Sequence, residues 1–424
     1  MTTIILTQYS GSILGPIARV LGWIMNWIYV FLANVFGIEN IGLTIIVLTI
    51  LIYMCMLPLT IKQQKFSKLQ QKMQPEIKAI QEKYKGRRDQ ESQMAMNEET
   101  QALYAKYGIS PTGTCLPLLL QMPVFFALYR VIYNVPAYVS SVKAAFDGVV
   151  DGIIHTAGFQ GTMEKFLENM NLTQQIKADF NNTDLEVVKN FIVDSIYKMS
   201  TSGWDALREA FPNLGEVINS TEVQLNHMNT FLGLNISDSP FAIITSSFKA
   251  HSYLIAVLAL LIPLTSYASQ MLNIKLMPQA DTDPDNQMAK QMKTMNYTMP
   301  LFSLFLCFTV PVGLGIYWIF SSLTRCVQQY FVNKHIQNLD LDEVIAKNLE
   351  KRKKKLEKMG ISENQIRNAA KMSTKSNVQL SSAMSKAERD SKIEKAYEYR
   401  KTANPNSLTA KANLVKDFNE RNNK

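Results

Sequence analysis

Arg130 and Arg325 each interrupt a run of otherwise apolar residues, and these runs and two others carry Thr49, Tyr53, Gln121, Tyr129, Tyr267, Tyr317, Trp318 and Ser321. These hydroxyls, amides, rings and guanidinium groups exchange hydrogen bonds and stabilise negative charge, but they form no nucleophile–base pair. Residues suited to bond-making chemistry are scattered. His155, His227, His251 and His335 lie far apart with no ligand spacing. Cys55, Cys115, Cys307 and Cys326 fall in or beside apolar runs, where cysteine packs as a small hydrophobe. A Walker sequence and a Gly-rich dinucleotide loop are both missing, which disfavours an ATP-driven pump. An intramembrane protease would want a membrane Ser with His, or paired Asp, and neither occurs in the apolar runs. The expectation is a protein that is not an enzyme, with no metal, no cofactor and no small-molecule substrate.

The elements that position these polar groups are the apolar runs themselves. Over 424 residues the chain is 47% hydrophobic and 19% charged, with 21 Met and 20 Phe. Its mean hydropathy of −0.03 would suit a soluble protein, so distribution decides the class. Ile41 to Leu59 is uncharged for nineteen residues, enough to cross a hydrocarbon core of about 30 Å. Cys115 to Tyr129, Tyr253 to Leu272, Tyr297 to Val310 and Gly313 to Leu323 are four further candidates. Five such runs argue against a set of buried core helices in a soluble protein. Ile13 to Phe36 carries Arg19 with Trp23, Trp27 and Tyr29, so a helix lying in the membrane interface is expected there, with a sixth span as the alternative. It does not read as a cleaved signal peptide.

Lys and Arg set the orientation. Ten of them lie between Lys62 and Lys106, which makes that loop cytoplasmic. The segment from Ala137 to Phe241 has six against thirteen acids, as expected outside. The predicted order is an N-terminal interfacial helix over 1–40 and spans at 41–61, 114–138, 244–272, 294–310 and 311–332. A cytoplasmic helical hairpin occupies 62–113, an extracellular helical insertion 139–243, a short cytoplasmic loop 273–293, and a basic tail 333–424. In the hairpin, Phe66, Leu69, Met73, Ile77 and Ile80 mark one helix face, Pro75 is expected to kink the helix, and Gly86 with Arg87, Arg88 and Asp89 supplies the turn. The tail begins helical, carries Lys351, Arg352, Lys353, Lys354 and Lys355 in a row, and is expected to be disordered beyond Met372. Such a tail suits anionic lipid or an RNA phosphate backbone, or serves only to fix topology and solubility.

An unpaired Arg at the bilayer centre costs on the order of 3 kcal/mol on insertion scales. Arg130 and Arg325 could escape by snorkelling to opposite surfaces. Alternatively, polar faces from several spans enclose a wet groove, which lowers the cost of placing hydrophilic peptide within the membrane.

Three phrases together carry a resemblance: IGLTIIVLTILIYMCMLPLTIKQQKFSKLQQKMQPEIKAIQEKYKG, ISPTGTCLPLLLQMPVFFALYRVIY and MPLFSLFLCFTVPVGLGIYWIFSSLTRCVQQYF. In order, spacing and topology they resemble the YidC/Oxa/Alb family of membrane protein insertases, across about Asn40 to Tyr138 and Leu254 to Phe331. The resemblance implies an all-α polytopic membrane protein with a five-transmembrane-helix core around a hydrophilic groove. It implies a protein of the bacterial plasma membrane with a cytoplasmic C-terminus. Hydrophobic segments of nascent membrane proteins would enter the groove and leave sideways into the lipid bilayer, without nucleotide hydrolysis. Thr49, Tyr317 and Trp318 match groove positions, the hairpin matches the client-recruiting element, and the basic tail resembles tails that assist ribosome binding. The Sec translocon is an implied partner.

One departure stands out. Members of the family usually carry an Arg in the first span where this chain has Tyr53. Either Arg130 or Arg325 supplies a substitute charge, or hydration alone suffices. The rival classes are a small-solute transporter or channel, which would be expected to show internal repeats, and a helix-assembly chaperone without insertase activity.

Overall fold

A computed structural model describes residues 8, 11–87, 89–109, 116–173, 176–199, 201, 203–277, 287–337 and 339–358. Cys115, Arg88, residues 278–286 of the predicted loop at 273–293 and the distal tail lie outside the described residues. The chain divides into two units, one of Met1–Ala79 with Leu103–Leu341 and one of Ile80–Ala102 with Asp342–Lys424.

The first unit begins with α1 (Leu14–Phe36), which buries Ala18, Leu21, Met25, Ile28, Tyr29 and Leu32 and leaves Trp23, Trp27 and Phe31 exposed. The buried set recurs every three to four residues, so one stripe faces the protein and the aromatic stripe faces outward. Gly37 ends the helix at φ 67°, and its N–H and that of Ile38 reach back to Ala33 and Leu32. Only a residue free of a Cβ adopts that left-handed cap at no steric cost.

Helix α2 (Ile41–Lys83) runs 43 residues without a break, through Pro58 and Pro75. The kink expected at Pro75 does not end it. Either side of that proline, Leu69, Met73 and Ile77 stay buried on one face, so packing offsets the backbone hydrogen bond that proline removes. Gly86 then takes φ 84° in the turn before α3 (Gln90–Lys106). Helix α4 (Leu116–Tyr133) follows and packs against α1, and Gly22 of α1 lies close against the ring of Tyr138, five residues beyond the end of α4.

Next come α5 (Ser140–Ala144), α6 (Asp147–Ile154), α7 (Phe159–Asn169), α8 (Leu185–Lys198), α9 (Gly203–Ala210) and α10 (Gly215–Asn229). Phe146, Val149, Ile153, Met163, Phe166, Ile192, Leu207 and Ile218 are almost fully buried and form the inner side of this inserted segment. Asp184 caps α8 by accepting from the Glu186 N–H at 3.0 Å. A two-residue antiparallel hairpin, β1 (Thr230–Phe231) with β2 (Leu234–Asn235), turns at Leu232 and Gly233, both at positive φ, as in the mirror-image turns of hairpins.

Helix α11 (Pro240–Lys249) leads to α12 (Tyr253–Leu276), α13 (Gln287–Cys307) and α14 (Val312–Gln337). Helix α12 packs on α11, α13 and α14, and Gly315 lets Ile262 approach the α14 backbone. The inserted segment is tied to the end of α13 and the start of α14 by backbone hydrogen bonds. Val312 donates to Asp238, Gly313 to Ile236 and Phe241 to Phe308, at 2.9 to 3.0 Å. In the second unit, Lys83 and Glu99 pair beside Tyr84, and α15 (Leu341–Lys358) carries exposed Lys351, Lys353 and Lys354, the last paired with Glu350. The side chains of Arg352 and Lys355 lie outside the described residues.

The chain is an all-α polytopic membrane protein. By length and composition, α1, α2 and α12 are each able to cross a membrane.

Candidate functional site

The polar residues of α2, α4 and α14 converge. Thr49 and Tyr53 are one helical turn apart and both buried, at 0% and 3% exposure. The Thr49 hydroxyl donates to its own helix at Ile45, 2.6 Å away, so it adds polarity without an orphaned group. The Tyr53 hydroxyl accepts from the Gln121 amide of α4 at 3.3 Å. Tyr317 of α14 neighbours Tyr53 and Gln121. The Arg325 guanidinium lies 5.6 Å from the centre of the Tyr53 ring and also acts electrostatically on Tyr317. A guanidinium over a phenol ring gains a cation–π attraction that strengthens as water is excluded. Its Nε also donates to the Ser321 carbonyl at 3.4 Å.

Phe125 seals one side, with ring centres 6.3 Å from Tyr317 and 6.4 Å from Trp318. Nothing in its type separated Phe125 from the other apolar residues of its run, so only the packing reveals it. Toward the ends of the helices the cluster continues as amides. Gln328 donates to the Tyr53 carbonyl at 2.7 Å, Gln64 pairs with Gln329, and Gln329 donates to Asn333 at 2.9 Å. Gln64 falls in the predicted hairpin at 62–113. It sits eleven residues after Tyr53, three helical turns, and that spacing is a signal placing both on one face.

The remaining predicted residues separate. Ser321 is buried and donates to Trp318, next to the cluster. Tyr129 instead stacks on Tyr133 at 5.6 Å, near the far end of α4. Arg130 is exposed there and exerts its charge on Tyr133 and on Lys198 of the inserted segment. The two arginines therefore occupy different places, and Arg325 is the one beside Tyr53. Tyr267 is half-buried on α12 and enters none of the described hydrogen bonds or ring contacts of the cluster. Its helix contributes a smaller polar set, in which Gln270 joins Ser266 and Ser303, and Asn273 reaches Cys326.

At the base of the hairpin, Glu76 accepts from Lys106 at 2.7 Å and from Tyr107 at 2.6 Å. Lys106 and then Tyr107 hold its carboxyl below the ordinary range.

The arrangement presents one cation, several hydroxyls and a ladder of amides inside an otherwise apolar bundle. Groups of these types can solvate a carboxylate or a bare peptide group by hydrogen bonds and charge alone.

Comparison with known proteins points the same way. The family model described as 60Kd inner membrane protein matches residues 31–202 and 204–339. "Membrane protein insertase YidC 1" of Halalkalibacterium halodurans is 43% identical over 108 residues, covering 26% of this chain and 41% of that protein. "Membrane protein insertase MisCA" of Bacillus subtilis is 43% identical over 99 residues, 23% of this chain and 38% of the relative. "Membrane protein insertase YidC" of Bifidobacterium longum is 36% identical over 144 residues, 33% and 42%. The chain thus spans about two fifths of the length of the curated relatives it matches. Since the family model covers well over half of its residues, the chain belongs to the 60Kd inner membrane protein family.

Proposed function

We propose that the protein is a membrane protein insertase. Hydrophobic segments of nascent proteins bring their polar flanks against the Tyr53–Gln121–Tyr317–Arg325 cluster and then leave sideways into lipid. The cluster acts as a groove of five spans, with Thr49, Trp318 and Ser321 on its wall. No nucleotide is hydrolysed, because burial of the client's apolar surface supplies the driving force. The single observation that carries this reading is the seating of Arg325 over Tyr53 in a chain of this family. A peptide carboxylate is costly to place in an apolar medium unless a cation and hydrogen bonds replace its water.

The orientation follows the charge of the loops, with the hairpin and the C-terminal tail in the cytoplasm of a bacterium and the inserted segment outside. Lys351, Arg352, Lys353, Lys354 and Lys355 would meet the ribosome or anionic lipid there, and a Sec translocon would work alongside.

Liposomes containing the purified protein test the reading. A single-span client should become protected from protease, and empty liposomes should not protect it. With an acidic-flanked client, Arg325→Ala should reduce protection roughly tenfold, the scale of about 1.4 kcal/mol. Tyr53→Arg added to that variant should restore it, whereas Arg130→Ala should leave it unchanged. Undiminished insertion by the Arg325→Ala protein would discard Arg325 as the client-binding charge. Failure of the wild type to protect any client would discard insertase activity.

A further inference from the structure

A cavity of about 190 Å³ lies where the inserted segment meets the ends of α4, α13 and α14. Its wall includes Tyr133, Tyr197, Lys198, Asp238, Ser239 and Thr309, drawn from four separate stretches of the chain. Two of these carry opposite charge. The Lys198 ammonium stands 5.5 Å from the centre of the Tyr133 ring. Asp238 is buried at 9% exposure and is held from behind by Thr201, whose N–H donates at 3.2 Å and whose hydroxyl donates to the other oxygen. A carboxylate has about four acceptor sites, so each Asp238 oxygen keeps capacity for another donor. The charges that act on Lys198 are those of Asp194 and Arg130, and Asp238 is not among them. The cavity therefore holds a cation and an anion in its lining, together with the Tyr133 and Tyr197 rings, and is too large to be filled by a single water.

A ligand complementary to that lining carries both signs, an anionic group toward Lys198 and an ammonium toward Asp238 and the rings. Apolar surface lies alongside. Phe241, next in the chain to the cavity-lining Ala242, is 62% exposed, and Phe305, one turn before Thr309, is 65% exposed. We propose that this cavity binds a phosphate–ammonium zwitterion of the phosphoethanolamine type, carried by a phospholipid whose chains lie along Phe241 and Phe305. Placing it at the outer headgroup level rests on the topology given above; the binding chemistry does not.

Calorimetric titration of the full chain in detergent micelles tests this with three probes: dihexanoyl phosphatidylethanolamine, dihexanoyl phosphatidylglycerol and free phosphoethanolamine. The ethanolamine lipid should bind saturably and the glycerol lipid roughly tenfold more weakly. Lys198→Met should weaken the first roughly tenfold, Lys198→Arg should retain it, and Asp238→Asn should erase the preference between the two lipids. Thermal unfolding of each variant in the same micelles separates lost binding from lost fold. Free phosphoethanolamine binding as tightly as the lipid would assign the cavity to a soluble zwitterion. Equal binding of both lipids, or unchanged binding by Lys198→Met, would overturn the proposal. No client protein is present, so a failed insertion assay leaves this result standing.

Discussion

The bundle of α12 to α14 and the inserted segment between α4 and α11 follow opposite plans. In the bundle, Ser266, Ser269, Asn273, Ser321, Ser322, Gln328 and Gln329 are buried, while Leu254, Val257, Phe302, Phe305 and Val327 are exposed. In the inserted segment, Phe146, Val149, Ile153, Ile192 and Ile218 are inside, and Glu164, Lys165 and Glu168 are outside. Each plan suits its solvent. Lipid rewards apolar surface and leaves packing and hydrogen bonds to hold helices together, whereas water drives apolar side chains inward. Helices serve both because they satisfy their own backbone in either medium.

The same substitution should separate the two plans. Phe146→Ala, at a site with 0% exposure, should cost about 3–5 kcal/mol through the lost transfer energy and the cavity left behind. Hydrogen exchange of α6 and α8 in the full chain would report it. A loss below 1 kcal/mol would mean that the inserted segment is not held by a water-driven core.

The next effect depends on pH and is confined to the inserted segment. Asp194 is 4% exposed, and burial raises its pKa to about 6, with Lys198 opposing the rise. A folded-state pKa above the unfolded value means that folding favours the proton. The associated stability is fully present below about pH 4 and is lost as pH rises through about 6. The shift corresponds to about 3 kcal/mol at most. Asp194→Asn should remove that slope, so urea midpoints measured from pH 4 to 7 should converge with wild type only at the acid end. Parallel curves would show that the carboxyl is solvated.

Inside the bundle, polar contacts take the place that apolar contacts hold outside it. Gln328→Leu removes the hydrogen bond to the Tyr53 carbonyl and should cost about 1 kcal/mol, the scale measured for such bonds between membrane helices. Exchange at the Tyr53 turn of α2 is the readout. The smallest change is expected for Phe302→Ala, which removes a ring from the outward face and should alter stability by less than about 0.5 kcal/mol. A large loss there would reveal a protein neighbour in place of lipid.

Much of this was legible in residue order. The uncharged run beginning at Ile41, the turn at Gly86, the helical character of the inserted segment and the polar series of Tyr317, Ser321 and Arg325 all follow from local pattern, since helix period and chain reversal depend on near neighbours. The partnership of Arg325 with Tyr53 does not. Arg130 and Arg325 look alike in sequence, each a single cation in an apolar run. Periodicity gives a residue's face on its own helix and says nothing of which helix that face meets. That the helix continues through Pro75 is hidden for a related reason, because the proline's local penalty is offset by packing of Leu69, Met73 and Ile77 that the sequence does not display.

By itself, the sequence determined the membrane class, the family, the helical hairpin and the loops whose charge sets the proposed orientation. These are sums over neighbouring residues, and composition and period suffice for them. Tertiary structure alone decided that Arg325 rather than Arg130 stands over Tyr53, that Gln64 joins the amide ladder, and that Lys198 and Asp238 share a cavity. Those pairs are separated by dozens to hundreds of residues, and they meet only because helix rotation and crossing are chosen by the packing of the whole bundle.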